Sequence, residues 1–185
     1  MRPKLSSIYI KPMTRLPNTF GGGARTNLNG LQFEDRTDLR QALEQHPIYQ
    51  LDENDQVIKN GVVVAQYFEK HGLYKKLLQP RGVNHKTLIT KRLLPDGALL
   101  VGSTLYIIEK KYQNGNGSVD EKLQTCDFKK KQYQKLLQPL CIRVEFYFVL
   151  NDWFRRETNE DVFKYIESVG CKYFFETLPL VEVGL

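Results

Sequence analysis

The strongest hydrophobic pattern in the chain lies between residues 98 and 111. Residues 98–101 are continuously apolar, Gly102-Ser103 is a typical turn pair, and residues 104–108 resume an apolar run. Two apolar runs on either side of a two-residue turn predict a tight β-hairpin, whose second strand continues to Lys111.

Alternation along the second strand gives the end of this hairpin an unusual character. Side chains two residues apart on a strand point to the same face. Leu105, Ile107, Glu109 and Lys111 are therefore predicted to share one face, while Lys110 points to the other. A face that begins with two apolar residues and ends with a carboxylate and an ammonium suggests a role beyond packing.

Upstream of the hairpin, the pattern predicts a helix from about Thr26 to His46, which Pro47 ends. The buried stripe of this helix is predicted to consist of Leu31, Leu39, Ala42 and Leu43. Glu34 lies at or beside the stripe, and it is either a charged residue at the edge of the core or an inward-facing functional group.

The remaining segments mix helical and strand patterns. The predicted elements are a β-branched run at 62–65, a helical turn at 66–72, an irregular segment at 73–79, a strand at 88–94, a helix from a capping box at 118–121 to about 137, a strand at 141–150, a helix at 161–169 and a strand at 172–175. This order predicts an α/β fold with a mixed central β-sheet flanked by helices on both faces.

Length and composition narrow the class of protein. The chain has 185 residues, of which 41% are hydrophobic and 26% charged, so one globular domain is predicted. No apolar stretch reaches the length of a membrane span and the N-terminus lacks a signal peptide's apolar core, so we expect a cytoplasmic protein without membrane contact.

The spacing of Cys126, Cys141 and Cys171 indicates neither a disulfide framework nor a zinc site. Gly21-Gly22-Gly23 lacks the ending of a phosphate-binding loop, and no small-molecule cofactor is predicted.

The charge balance permits a nucleic-acid partner. The formal net charge is +6, and residues 1–25 carry five basic side chains with no acidic one. The predicted contacts with a DNA backbone are Arg2, Lys4, Lys11, Arg15, Arg25 and Asn27. The alternative for this basic arm is a solvated, partly disordered terminus.

Candidate chemistry is concentrated at the open end of the hairpin. Asp96 precedes the first strand, and folding the hairpin brings it back beside Glu109, with the Lys111 ammonium at the edge of the pocket. Hard carboxylate oxygens suit Mg²⁺, and a bound Mg²⁺ lowers the pKa of water and shields charge on a phosphate. The pocket therefore suits phosphodiester hydrolysis, while a surface hairpin with solvated charges is the alternative.

Pro95-Asp96 followed by Glu109-Lys110-Lys111 resembles the signature of the PD-(D/E)XK nucleases. Glu34 is similar to the acidic residue that this family carries on its first core helix. Residues 118–124 are similar to the segment that follows the E-x-K strand in type II restriction enzymes. The resemblance covers about residues 20 to 150.

The resemblance implies a restriction-endonuclease-like fold and a Mg²⁺-dependent DNA endonuclease, in which Mn²⁺ can substitute. It implies that Asp96 and Glu109 hold the metal and that Lys111 positions the water and the phosphate. It further implies that Glu34 binds a second metal or organises its water molecules. Lys122 and Gln124 are expected to support these groups from the helix after the strand.

The expected function is therefore that of a type II restriction endonuclease, which acts as a homodimer and cleaves both strands of double-stranded DNA at a short specific site. Within the single domain, we expect a basic arm at 1–20, a catalytic core at 21–150 and an extension at 151–185. The alternatives are a structure-selective nuclease, such as a junction resolvase or repair enzyme, and a sequence-specific DNA-binding protein without activity.

Overall fold

The computed structural model describes residues 30, 32–33, 37–115 and 119–185. The strands are β1 Gln50–Leu51, β2 Gln56–Lys59, β3 Val62–Phe68, β4 Gly97–Val101, β5 Thr104–Lys111, β6 Arg143–Leu150 and β7 Lys172–Phe175. The α-helices are α1 Leu39–Glu44, α2 Val119–Leu123, α3 Cys126–Leu137 and α4 Glu160–Ser168. A π-helical turn spans Leu73–Leu78, and 3₁₀ turns span Gln79–Arg81, His85–Thr87, Gln138–Leu140, Asp152–Phe154, Glu157–Asn159 and Leu180–Val183.

All seven strands form one mixed sheet in the order β1-β2-β3-β4-β5-β6-β7. Neighbours from β1 to β5 are antiparallel, whereas β5, β6 and β7 are parallel. Parallel neighbours need a long crossover, and the segment between β5 and β6 carries α2 and α3 while that between β6 and β7 carries α4. Part of the predicted C-terminal extension thus belongs to the core fold, since it supplies the strand β7 of the sheet and the helix α4 that precedes it.

Each face of the sheet has its own hydrophobic core. On one face, α3, α4 and the π-helical turn pack against the side chains of Leu105, Ile107 and Phe146. On the other face, α1 and the C-terminal 3₁₀ turn pack against Ile108 and Val149. Because strand residues alternate between faces, one short strand can serve both cores, and this confirms the predicted α/β fold with a mixed sheet flanked by helices.

The hairpin and the C-terminal elements follow the sequence pattern closely. The β4–β5 hairpin closes on the predicted turn, since Val101 pairs with Thr104. The predicted strand at 172–175 coincides with β7, and the predicted helix at 161–169 is α4 to within one residue at each end. The part of the chain that the structure describes contains no helix both long and apolar enough to cross a bilayer.

Three predicted elements between residues 66 and 94 are wrong. The segment at 73–79, expected to be irregular, is the π-helical turn Leu73–Leu78. The expected helical turn at 66–72 begins as strand, because Gln66 to Phe68 complete β3 and pair with Leu100 to Ala98 of β4. The expected strand at 88–94 is irregular, because the Tyr74 hydroxyl binds both backbone groups of Leu93, donating to its carbonyl at 2.8 Å and accepting from its N–H at 3.1 Å.

Two long predicted helices are interrupted. A single helix to His46 is wrong, because Asp38 has extended backbone angles and caps α1 by accepting from the Gln41 N–H at 3.0 Å. The predicted helix from 118 to 137 divides into α2 and α3, since the N–H of Thr125 bonds to the carbonyl three residues earlier and tightens the chain there. The β1–β2 hairpin was not predicted at all.

Candidate active site

The end of the β4–β5 hairpin places Asp96 beside the end of β5. β4 begins at Gly97, which pairs with Ile108, so the antiparallel ladder ends one residue short of Asp96. The Lys110 N–H, which would otherwise bond to a longer β4, donates to Asp96 Oδ2 at 2.8 Å. The backbone of β5 therefore holds the Asp96 carboxylate at the end of the β4–β5 ladder.

Because of Pro95, the Lys110 carbonyl receives no hydrogen bond from the residue opposite it in the hairpin register. Continuing the hairpin register by one further hydrogen-bonded pair sets Pro95 opposite Lys110. Proline has no N–H, so it cannot donate to the Lys110 carbonyl. That carbonyl instead accepts from the Lys111 ammonium at 2.8 Å.

Three oxygen atoms consequently surround one cationic nitrogen. The Lys111 Nζ lies 2.8 Å from the Lys110 carbonyl oxygen and 3.1 Å from Glu109 Oε2. It also lies 3.6 Å from Asp96 Oδ2. Two carboxylates and one carbonyl converge here on a point that already holds a positive charge. Among the described residues, no group of three or more His, Cys, Asp and Glu side chains could hold a metal, so any metal here would use these two carboxylates with backbone oxygen.

The two carboxylates differ strongly in burial. The Glu109 side chain is 6% exposed, whereas that of Asp96 is 42% exposed. Glu109 lies on the face that α3 covers, as do Leu105 and Ile107, and this agrees with the alternation predicted for β5. The site thus has a closed side at Glu109 and a side at Asp96 that is open to solvent.

Helix α3 adds two side chains that the sequence reasoning missed. Lys129 Nζ donates to Glu109 Oε2 at 2.8 Å, so this one carboxylate oxygen accepts from two ammonium groups. Tyr133 follows one helical turn later and is fully buried. Its hydroxyl has no hydrogen-bond partner among the described residues. Burial, followed by the negative charge of Glu109 and smaller contributions that include Asp96, raises the pKa of Tyr133, so the hydroxyl stays protonated and can donate.

The opposite face of β5 carries a second ion pair. The side chain of Lys110 is 7% exposed, and its Nζ lies 3.3 Å from Asp38 Oδ2. Asp38 also caps α1, so Lys110 connects the end of β5 to the start of that helix. The prediction that Lys110 and Lys111 point to opposite faces is confirmed.

The carboxyl ends of β5 and β6 are joined by a reciprocal pair of hydrogen bonds. The Gln113 N–H donates to Asn151 Oδ1 at 2.9 Å, and Asn151 Nδ2 donates to the Gln113 carbonyl at 2.8 Å. Both residues are buried. This pair fixes the chain just after Lys111 and keeps the two strand ends in one position relative to each other.

The structure brings together three of the predicted site residues, Asp96, Glu109 and Lys111. Lys122 and Gln124 are exposed, and neither side chain forms a hydrogen bond or ion pair with these three in the described part of the chain. Glu34 lies outside the described residues. So do the six predicted DNA contacts, which are Arg2, Lys4, Lys11, Arg15, Arg25 and Asn27.

Comparison with known proteins adds no relative: no protein-family model matches the sequence, and no curated protein is significantly similar to it. The case for a function therefore rests on the geometry of this site.

Proposed function

We propose that this protein is a Mg²⁺-dependent endonuclease with a restriction-endonuclease-like core, which cleaves double-stranded DNA at a short specific site. It acts as a cytoplasmic homodimer, because cutting two antiparallel strands at symmetric positions requires two sites related by a twofold axis. Mn²⁺ replaces Mg²⁺, since both accept oxygen ligands.

The observation that carries this proposal is the convergence of Asp96, Glu109 and the Lys110 carbonyl on one cationic position. Hard oxygen donors of this kind, partly open to solvent, suit a Mg²⁺ ion that keeps several waters and binds phosphate oxygens. The unpartnered hydroxyl of Tyr133 is a second feature that fits, because it is a buried donor without an acceptor among the described residues and lies one helical turn from Lys129, which binds Glu109.

When bound, the metal would supply Lewis-acid chemistry, which lowers the pKa of an attacking water and shields the charge of the phosphate. Asp96, Glu109 and the Lys110 carbonyl would hold it. The Lys111 ammonium lies where these oxygen atoms converge, so it would move aside when the metal binds, and it would then orient the water and neutralise a phosphate oxygen.

Lys129 and Tyr133 support these groups from α3. The Lys129 ammonium balances the charge of the buried Glu109, which keeps that carboxylate ionised and in place. Tyr133 remains a neutral hydrogen-bond donor to an oxygen in the site, because its raised pKa excludes a role as a base at neutral pH.

The test is cleavage of supercoiled plasmid and of linear genomic-size DNA by the purified protein, with Mg²⁺, with Mn²⁺ or with EDTA. We expect discrete fragments with either metal and none with EDTA, and we expect Asp96→Ala and Glu109→Ala each to abolish cleavage. Asp161→Ala is the matched control, since its side chain is 99% exposed and its ion pair is with Lys164 of the same helix, α4.

Each other outcome overturns a specific part of the proposal. Cleavage that persists in EDTA, or in the Asp96 and Glu109 variants, refutes the metal site. Cleavage restricted to branched DNA replaces site-specific cutting by a junction-resolving activity. A stable DNA complex without cleavage under any metal leaves only DNA binding.

A further inference from the structure

The basic charge of this chain is concentrated in the segment that leads to Asp96. Residues 70–95 contain no Asp or Glu, and they carry seven Lys or Arg side chains and two His. The seven are Lys70, Lys75, Lys76, Arg81, Lys86, Lys91 and Arg92. These positive charges outnumber the net charge of +6 for the whole chain, so the rest of the protein is close to neutral.

All seven of these side chains are exposed, although the segment itself is well packed. Leu73, Tyr74, Leu77 and Leu78 of the π-helical turn are buried in the core, and Val83 and Ile89 are buried further along. The basic groups are therefore displayed on a scaffold anchored by its apolar side chains, in contrast to a free basic tail. A rigid display loses little conformational entropy when it binds a large partner.

Most of these basic side chains have no acidic partner. In the described part of the chain, only Lys76 of the seven forms an ion pair, with Asp55. Three of the four lysines of α3 differ, because Lys129 and Lys130 are paired with Glu109 and Glu145, and Lys131 is paired with Asp127, whereas Lys135 has no ion pair among the described residues. Among the described residues, six of the ten exposed Lys and Arg side chains without an ion pair therefore lie in the segment 70–92, and the other four, Lys122, Lys135, Arg143 and Arg156, are spread over residues 122–156.

Arg92 lies at the centre of a smaller basic cluster. Its two terminal nitrogens lie 3.5 Å from His71 Nδ1 and 3.1 Å from His85 Nε2, and its guanidinium is 5.0 Å from the centre of the Tyr74 ring. Desolvation and then the charges of Arg92 and Lys86 lower the pKa of His85. A guanidinium that contacts imidazole and phenol rings, with no carboxylate in contact among the described residues, is available to an anionic ligand.

The segment is attached directly to the candidate active site. The Lys70 N–H donates to the Pro95 carbonyl at 2.9 Å, and Pro95 precedes Asp96. Next to this contact, the Tyr74 hydroxyl binds both backbone groups of Leu93, so the start and the end of the segment are joined twice. A polyanion that lies across the basic side chains would therefore continue towards the open, Asp96 side of the site.

We propose that the basic segment 70–92 is the surface that binds the phosphate backbone of duplex DNA next to the bond that is cleaved. This inference rests on the proposed function and names the surface through which that site receives its substrate. The phosphates of a duplex complement a group of exposed Lys and Arg side chains without acidic partners, and binding would release the counterions condensed on the DNA. The interaction is with the backbone, so it contributes affinity and orientation without base specificity.

The test compares two triple variants with the same change in charge. Lys75→Gln, Lys86→Gln and Lys91→Gln remove three exposed side chains that have no hydrogen bond or ion pair in the described residues. The control is Lys131→Gln, Lys164→Gln and Lys172→Gln, which removes three exposed lysines whose partners are Asp127, Glu160 and Glu182. Circular dichroism and thermal melting establish that both variants are folded.

Binding is measured by fluorescence anisotropy with a 30-base-pair labelled duplex, in EDTA, over a series of salt concentrations. For the segment variant we expect affinity at 0.1 M salt to fall at least about tenfold. We expect the slope of log K against log salt to flatten by roughly 0.9 for each phosphate that the variant no longer neutralises. The control variant should bind within about twofold of the unmodified protein, because its lysines are already neutralised.

The binding readout separates this inference from the nuclease activity. DNA binding that falls equally in both variants, or in neither, overturns the inference even if the protein cleaves DNA. Specific loss of binding in the segment variant supports it even if no cleavage is ever found. Absence of DNA binding by the unmodified protein, with tight binding of poly-glutamate instead, also overturns it and identifies an acidic protein as the partner.

Discussion

Lys110 and Lys111 are adjacent in sequence, lie on opposite faces of β5 and should respond to the same substitution in opposite ways. We predict that Lys110→Met lowers the free energy of unfolding but leaves the rate of DNA cleavage within about tenfold of the unmodified protein. We predict that Lys111→Met lowers the cleavage rate by roughly a thousandfold or more and changes stability little.

The loss of unfolding free energy expected for Lys110→Met follows from the ion pair between Lys110 and Asp38. Two unit charges 3.3 Å apart attract by about 5 kcal/mol at an effective dielectric constant of about 20. Desolvation of the buried ammonium offsets much of this attraction, and Asp38 is one-third exposed, so its charge is partly screened. A net destabilisation of about 1–3 kcal/mol remains for Lys110→Met.

The loss of unfolding free energy expected for Lys111→Met is smaller, because Lys111 shares its partner Glu109 with Lys129. Lys111 and Lys129 both donate to Glu109 Oε2, at 3.1 Å and 2.8 Å. When Lys111 is replaced, Glu109 keeps its shorter ion pair and two like charges no longer face each other. The change in unfolding free energy should therefore be about 1 kcal/mol or less.

Urea unfolding followed by the fluorescence of the single Trp153 measures stability, and initial rates of plasmid nicking at saturating Mg²⁺ measure activity. Asp38→Asn combined with Lys110→Met completes a double-mutant cycle for the ion pair. Loss of cleavage in Lys110→Met with normal stability, or equal losses in both lysine variants, would show that the assignment of strand faces to functions is wrong.

Three further changes test other parts of the structure. Tyr133→Phe removes a buried hydroxyl that has no partner among the described residues, so stability should change by less than about 1 kcal/mol while cleavage falls about 10–100-fold; an unchanged rate would exclude the hydroxyl from the site. Asn151→Ala breaks two hydrogen bonds to Gln113 and should destabilise the protein by about 2–4 kcal/mol in the urea titration, whereas a negligible effect would mean that water replaces them. Deletion of residues 1–15 should weaken DNA binding and flatten its salt dependence by roughly 0.9 for each phosphate that the arm neutralises, and an unchanged slope would show that the arm is a solvated tail.

The hairpin could be predicted because everything that defines it is local. The turn pair Gly102-Ser103, the apolar runs and the alternation from Leu105 to Lys111 all lie within one short stretch of chain. The same locality brought Asp96, Glu109 and Lys111 together in the prediction, since one hairpin register fixes all three.

The failures have a non-local cause. Gln66 to Phe68 precede a charged stretch and a glycine and resemble the end of a helix, but pairing with β4 determines their conformation. Lys129 and Tyr133 are separated by one helical turn, which places them on the same face of α3. Only the packing of α3 on the sheet shows that this face meets Glu109, and no periodicity within the helix contains that information.

Pro95 has a consequence for how a cation and the sheet share one oxygen atom. With any other residue at this position, an amide hydrogen would face the Lys110 carbonyl. Residue 95 could then pair with Lys110 and extend the β4–β5 ladder. That hydrogen bond and a cation would then compete for the same carbonyl oxygen. A substitution that strengthened the hydrogen bond would weaken the binding of the cation. Proline removes the rival donor altogether. A more rigid hairpin would therefore still leave the Lys110 carbonyl available to a cation such as the Lys111 ammonium.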